Sequence, residues 1–373
     1  MKKTAILVIT IVLVLGAIFI LESRKSDNGS LLQDAKSISI MTKGEKAKVY
    51  EGAKEISSPD AFINTGLNSD GSVKPITIQE LIGKKVILVD FWTYSCINCQ
   101  RTLPYLNEWY EKYTDDGLVI LGIHTPEFEF EKDLANVQKA VDKYGIKYPV
   151  ILDNDYSTWR AYKNRYWPRK YLIDVDGYIV YDHIGEGGYE ETEMKIVEAL
   201  SELNGRRIEL DKGSVTEKDE VDFSQVKSPE SYLGSSRIEY LNNLPSQSCL
   251  AGACEYHLPA NTPLNTFSLS GKWRIEDERA VLESETGSII YHFSANKVNL
   301  VAGGISGDVK AEIYLDGEKI SANFEGADVS NGVVTFMDHD LYNLVDLRGN
   351  YSKHIVEIKF LESGVETFAF TFG

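Results

Sequence analysis

The stretch from Val86 to Tyr113 constrains this chain more than any other. An apolar run, Val86-Ile87-Leu88-Val89, reads as a buried strand. The chain continues through Asp90-Phe91-Trp92-Thr93-Tyr94-Ser95 into Cys96-Ile97-Asn98-Cys99, and Gln100 to Tyr113 reads as a helix. A strand therefore runs into a C-x-x-C placed at a helix start. The free N–H groups and the dipole of a helix N-terminus favour an anion. A cysteine thiolate is such an anion, and it is the nucleophile of thiol–disulfide exchange. Two thiols at this spacing can close a small disulfide and reopen it, or they can supply half of a zinc site.

An all-cysteine zinc site needs a second pair of thiols. The chain has four cysteines, and the remaining two, Cys249 and Cys254, are spaced x4 and lie far along the sequence. The six histidines are scattered. Redox chemistry is the better account of Cys96 and Cys99. No metal site is expected, and the residues call for no cofactor.

At 373 residues the chain can hold two ordinary domains plus connections. Its net charge of −17 argues against a nucleic-acid partner and against docking to an anionic membrane through a basic patch. The N-terminus points to a compartment. Met1-Lys2-Lys3-Thr4 precedes an apolar run from Ala5 to Leu21, broken only by Thr10 and followed by Glu22-Ser23-Arg24-Lys25. That run is at the lower edge of membrane-spanning length, and no A-x-A-like cleavage site follows it. Residues 1–21 read as an uncleaved signal anchor, with a cleaved signal peptide as the alternative. The bulk of the chain is then exported, held at the cell membrane by a single-pass helix or secreted if the segment is cut. Disulfides persist there.

Residues 22–45 have the composition of a tether and 46–205 that of an α/β domain. Thr77 to Gly83 reads as a short helix, Leu118 to His124 as a strand, and Phe128 to Tyr144 as one helix with Leu134, Val137, Val141 and Tyr144 on a face. Tyr148 to Asp153 is a strand and Ser157 to Tyr166 a helix. A hairpin follows around Val175-Asp176-Gly177, and Glu190 to Leu203 is the last helix. Residues 206–235 are charged and polar, a linker. From Ser236 to Gly373 short alternating runs separated by turn signals replace helices, the pattern of an all-β sandwich.

Val89-Asp90-Phe91-Trp92 followed by C-x-x-C resembles thioredoxin. The longer run from Phe91 to Leu106 resembles the extracytoplasmic redox domains of the TlpA/ResA group, and most closely the soluble part of the DipZ-type cytochrome c biogenesis and thiol–disulfide exchange proteins. Ile123 to Phe128, Arg165 to Asp174 and the closing Phe370-Thr371-Phe372-Gly373 carry the same resemblance, which covers about residue 50 to the end. The first 21 residues depart from it, because the DipZ type has a multi-span membrane domain there. The resemblance implies a thioredoxin fold with an added helix–strand insert. A jelly-roll-like, carbohydrate-binding-module-like tail follows. It further implies an oxidoreductase that reduces exported protein disulfides, for example in cytochrome c maturation. The apolar N-terminal segment contains no cysteine and cannot relay electrons by thiol exchange, so a CcdA-like membrane donor is the implied partner.

Cys96, at the helix start, is the expected nucleophile. Cys99, one turn in, is expected to resolve the mixed disulfide. Asp90 lies in a strand expected to be buried, where a carboxyl tends to keep its proton near neutral pH. Once ionised it can take the proton of Cys99. Thioredoxin has a buried acid at the matching place. It also has a cis-proline where Pro168 stands here, so Pro168 and Trp167 are expected substrate-binding residues. Trp92 is expected there too, or else packs as plain core, as aromatics before such a motif often do. Arg101 and Lys170 read as solvated charges, and His124 and Glu127 match the DipZ-type stretch without a chemical role.

Two other functions come from different classes. Thr93-x-x-Cys96 has the spacing of a peroxiredoxin, but Val89 stands where that motif has proline, and Cys99 follows at once. A glycan-binding surface protein would use the tail, where Trp273, Tyr291 and Tyr342 could stack on sugar rings or simply pack the core. Cys249 and Cys254 are expected to form a local structural disulfide, and Asp338-His339-Asp340 an exposed polar turn.

Overall fold

Val86–Trp92 is buried at every position and forms the centre of the first sheet. In the computed structural model, residues 41–210, 221–305 and 307–373 are described. The run read as an anchor at 1–21, most of the 22–45 tether and positions 211–220 of the 206–235 linker lie outside them. Among the described residues no helix is long and apolar enough to cross a membrane. Lys43–Val49 is a short helix, and the unit from Tyr50 to Gly373 follows it.

The first sheet holds β1 (Ala61–Ile63), β2 (Val86–Trp92), β3 (Leu118–His124), β4 (Val150–Leu152), β5 (Arg169–Ile173) and β6 (Ile179–Ile184) in the order β1-β4-β3-β2-β5-β6. β2, β3 and β4 run parallel, and β5 is antiparallel to β2. Parallel strands need both faces covered, which explains the unbroken apolar runs. The helix Ile97–Tyr113 lies against the sheet through Cys99, Leu103, Leu106, Trp109 and Tyr113, an apolar stripe at helical spacing. Ile196 and Leu200 of the helix Tyr189–Asn204 join the same core. This is a thioredoxin-like α/β fold.

The helix expected across Phe128 to Tyr144 is two pieces, a 3-10 turn Glu129–Lys132 and an α-helix Leu134–Lys143. Asp133 divides them. Its backbone is extended, and its carboxylate accepts from the N–H of Ala135 at 2.7 Å, capping the second piece. Phe128 and Phe130, at the first piece, join a small apolar cluster with Phe368, and Phe130 also touches the core of the redox domain.

Residues beyond Ser231 form a large all-β domain. One long strand, Thr266–Ile275, joins its two groups of strands. Its first half pairs with Gly287–Ala295 and its second half with Ala280–Leu282. Gly271 sits at the change with φ +93, and a Cβ there would lie 2.8 Å from the Thr286 carbonyl oxygen, so only glycine fits. Trp273, Tyr291 and Tyr342 are 0%, 0% and 9% exposed, so core packing is what these aromatics do. None of the three offers a face to a sugar. Cys249 and Cys254 are joined as a disulfide. Within the stretch read as a linker, Ser231–Tyr232 forms a strand on Val365–Phe372 and Leu233 is fully buried.

The all-β domain docks on the segment before Asp133. Phe128 and Phe130 pack on Phe368 at ring distances of 5.2 and 4.7 Å. The Asp338-His339-Asp340 turn is not a free polar loop, as its composition suggested. His339 stacks on Phe130 at 5.0 Å, its carbonyl accepts from the Tyr94 hydroxyl at 3.2 Å, and the two aspartates pair with Lys139 and Lys143. The Lys139–Asp338 pair is 60% and 66% exposed, so it adds little. The apolar cluster holds the contact. Phe128→Ala should therefore cost about 3–5 kcal/mol. Urea denaturation would measure it. A loss under about 1 kcal/mol, typical of a surface position, would mean the interface does not carry stability.

Candidate active site

The end of β2 delivers Thr93-Tyr94-Ser95 to the start of the Ile97–Tyr113 helix, and Cys96 is the N-cap of that helix. The backbone N–H of Cys99 donates to Cys96 Sγ at 3.3 Å. A cap position, an N–H and the positive end of the helix dipole converge on this sulfur, where a thiolate is best placed. Cys96 is half-buried and Cys99 buried. Burial pushes the Cys99 thiol well above its ordinary range, and its neighbour Cys96 and the charge of Asp90 add to the rise. Cys99 therefore stays protonated until a base relieves it.

Asp90 is 1% exposed, and neither carboxyl oxygen has a hydrogen-bond partner. Burial pushes its pKa up to about 7, against the pull of the Lys170 charge. Lys170 stands directly opposite on β5, fully buried, and its Nζ donates to the Gly185 carbonyl at 3.3 Å. Desolvation lowers the lysine's pKa while Asp90 and Cys99 support its charge. Lys170 is therefore no solvated charge but the buried counter-charge of the site. Arg101 is not solvated either. It grips Glu186 with two hydrogen bonds, at 2.8 and 2.6 Å, and reaches Asn98 at 2.7 Å.

A second buried carboxyl lies under the loop before Cys96. Glu131 is fully buried and accepts from the Ser95 hydroxyl at 2.6 Å, from the Ser95 N–H at 3.3 Å and from the N–H groups of Glu127 and Phe128. Desolvation pushes its pKa up to about 7, with the hydrogen bonds opposing. Glu131 thus ties the residue before Cys96 to the segment that meets the all-β domain. The sequence signal was the Phe-Glu-Phe-Glu alternation from Phe128, which is not that of an exposed helix. His124 is buried between Trp92 and Tyr94, and burial lowers its pKa to about 3, so the ring is neutral.

Trp167 is half-buried, precedes the cis bond to Pro168, and donates from Nε1 to the Thr125 carbonyl at 3.0 Å. With Cys96 it lines a cleft of about 430 Å³ whose other wall comes from the chain beyond the redox domain, from Phe223 to Arg237 and from Thr371 and Phe372. Pro168 itself is buried, and its carbonyl accepts from Gly185 N–H. Trp92 is a correction. It is 0% exposed and packs edge-on to His124 at 5.1 Å, so it has no surface with which to touch a partner. Glu127 lies between the domains, accepting from Arg237 at 2.7 Å and from the Tyr232 hydroxyl at 2.8 Å.

Residues 58–182 match the AhpC/TSA family, and residues 228–373 match a family described as the thioredoxin-like C-terminal domain. The thiol–disulfide oxidoreductase YkuV of Bacillus subtilis is 30% identical over 127 residues, which is 34% of this chain and 85% of that one. The chain belongs to the thioredoxin-like thiol–disulfide oxidoreductases. The DipZ protein of Mycobacterium tuberculosis is 33% identical over 328 residues, 87% of this chain. The chain spans 44% of that relative's length. The thiol–disulfide oxidoreductase ResA of Bacillus thuringiensis is 37% identical over 120 residues, 32% of this chain and 66% of its own. In this member of the family the Cys96–Cys99 thiols are set beside a second domain. The match to DipZ extends over that domain, and the matches to YkuV and ResA do not reach the chain's full length.

Proposed function

We propose that this chain exchanges thiols and disulfides with exported protein substrates, acting as their reductant. The observation that carries this is Cys96 at a helix N-cap, open to a cleft, with the buried thiol of Cys99 and the unpartnered carboxyl of Asp90 behind it. The Cys96 thiolate attacks one sulfur of the substrate disulfide, forming a mixed disulfide and expelling the other sulfur as a thiolate. Asp90 accepts the Cys99 proton. The Cys99 thiolate then attacks Cys96 Sγ, the second substrate sulfur leaves reduced, and the Cys96–Cys99 disulfide keeps the two electrons' worth of oxidation. A separate dithiol must return the pair to the reduced state, and a CcdA-like membrane protein has the chemistry for it. Trp167 and Pro168 border the place where the substrate chain lies.

The same reading has a signal anchor or signal peptide at 1–21, a tether at 22–45, the redox domain at 46–205, and a linker from 206 that gives way to the second domain at the Ser231–Tyr232 strand and not at 236. Two groups of strands around one core support a sandwich form for that domain; the glycan-binding alternative has less behind it, because Trp273, Tyr291 and Tyr342 are all buried. The peroxidase alternative has less behind it, because the Thr93 hydroxyl is taken up by His124 Nε2 at 3.4 Å.

The reduction potential of the Cys96–Cys99 couple, measured against glutathione or dithiothreitol buffers, tests the direction. A value at or below about −270 mV is expected. A value near about −120 mV would belong to an oxidant, and the reducing role would have to be abandoned.

A further inference from the structure

The cleft at Cys96 is walled on one side by Tyr166 and Trp167 of the redox domain and on the other by Phe223, Val226 and Phe372 from the chain beyond it. A site formed by the redox domain alone would be an open surface around the sulfur. Here a partner must enter between two walls. The size suits a few residues of polypeptide and not a folded surface.

Charge does not select the occupant. The lining carries two carboxylates, Glu127 and Glu230, and two guanidinium groups, Arg165 and Arg237. Glu127 is already paired with Arg237, and burial beside Glu127 pushes the Glu230 pKa up to about 7, which leaves Arg165 and a partly ionised Glu230 and no strong charge of one sign. Apolar contact is different. Tyr166 and Phe223 are 50% and 53% exposed, one from each wall. Uncovered aromatic rings beside a reactive sulfur mark a place where an apolar group is to be covered. Tyr232 and Arg237 anchor this side of the cleft to Glu127, and the segment that bears Phe223 and Val226 is tied to the all-β domain by the Asp222 N–H donating to the Tyr351 hydroxyl at 2.9 Å and the Lys227 N–H donating to the Ser294 carbonyl at 2.9 Å.

We propose that the chain beyond the redox domain forms half of the substrate site, and that its Phe223–Val226–Phe372 wall takes a bulky apolar side chain next to the reacting cysteine of an extended polypeptide segment. This rests on the thiol–disulfide exchange reading. Selectivity then comes from the chain beyond the redox domain, while the chemistry stays with Cys96 and Cys99.

The test compares two short peptides with the same mixed disulfide, one with phenylalanine and one with serine beside the cysteine. The full chain, reduced beforehand, should favour the phenylalanine peptide by about ten-fold or more in kcat/KM, the effect of covering one aromatic side chain. Phe223→Ala should bring the ratio close to one, and Phe223→Leu should keep most of it. The reduction potential of the couple should be the same in all three proteins. A ratio near one in the parent, or a ratio that survives Phe223→Ala, overturns the proposal. Failure to reduce either peptide, together with no reduction of hydroxyethyl disulfide, would instead overturn the exchange reading on which it rests.

Discussion

A Cys99→Ser variant is expected to accumulate as a covalent adduct with its substrate. Cys96 would still attack, since its cap position and the N–H at 3.3 Å do not depend on the Cys99 sulfur. Nothing would then be placed to displace the bound chain. A substrate disulfide mixed with the reduced variant should give an adduct that survives a non-reducing gel and collapses with dithiothreitol. Cys96→Ser should give no adduct, and turnover should fall by about 10³-fold or more, as expected when a nucleophile is removed. An adduct formed by Cys96→Ser but not by Cys99→Ser would reverse the assignment. Exposure argues for the order given, because Cys99 is only 1% exposed.

Asp90→Asn should slow the second half of the cycle and leave the first nearly intact. Release of the mixed disulfide in the parent should accelerate with pH through a midpoint of about 7, where Asp90 loses its proton. In Asp90→Asn that inflection should vanish, and release at pH 8 should be about 10²-fold slower, the usual worth of a positioned base. Equal slowing of both half-reactions would sink the role. The same carboxyl makes a stability claim with a definite sign. Its folded pKa is raised from 3.8 to about 7. Between those values the unfolded chain gives up the proton and the folded one keeps it, so this group's contribution to stability falls as pH rises through the window. The melting temperature of Asp90→Asn relative to the parent should therefore climb from pH 4 to pH 8. The Lys170 charge opposite opposes the rise caused by burial, and the value of about 7 is what remains after that opposition.

Much of the redox domain could be read from residue patterns. The apolar runs at Val86, Leu118 and Tyr148 each became strands, and the stripe from Cys99 to Tyr113 became the helix face against the sheet. These features are local, and local periodicity reports them. The buried charges were not legible. Lys170 looks like any strand-end lysine until the register sets it opposite Asp90, and register depends on which strands pair. Glu131 sits among charged residues that usually face water, and only the break at Asp133 turns it inward. Trp92 was read as a substrate contact from its place before the cysteines, yet a side chain at the end of a doubly covered strand has no route to the surface. The meeting of the two domains left least trace. Phe128, Phe368 and His339 come from three distant segments, and each alone passes for ordinary core or turn.

The Cys249–Cys254 bond belongs to the same molecule as a dithiol proposed to break such bonds. A reductant that carries a disulfide of its own needs insulation between the two, or successive copies would open each other. Thiolate attack requires a clear approach to a sulfur. Cys249 is 2% exposed, so the approach to that sulfur is closed, and Cys254 is half-buried, which leaves it the one sulfur a thiolate could approach. Cys96, for its part, lies at the floor of a walled recess from which it cannot reach a flat surface on a neighbour. Attack is thus confined to the Cys254 side, and a concentrated stock whose Cys96–Cys99 pair is reduced should keep one disulfide per chain.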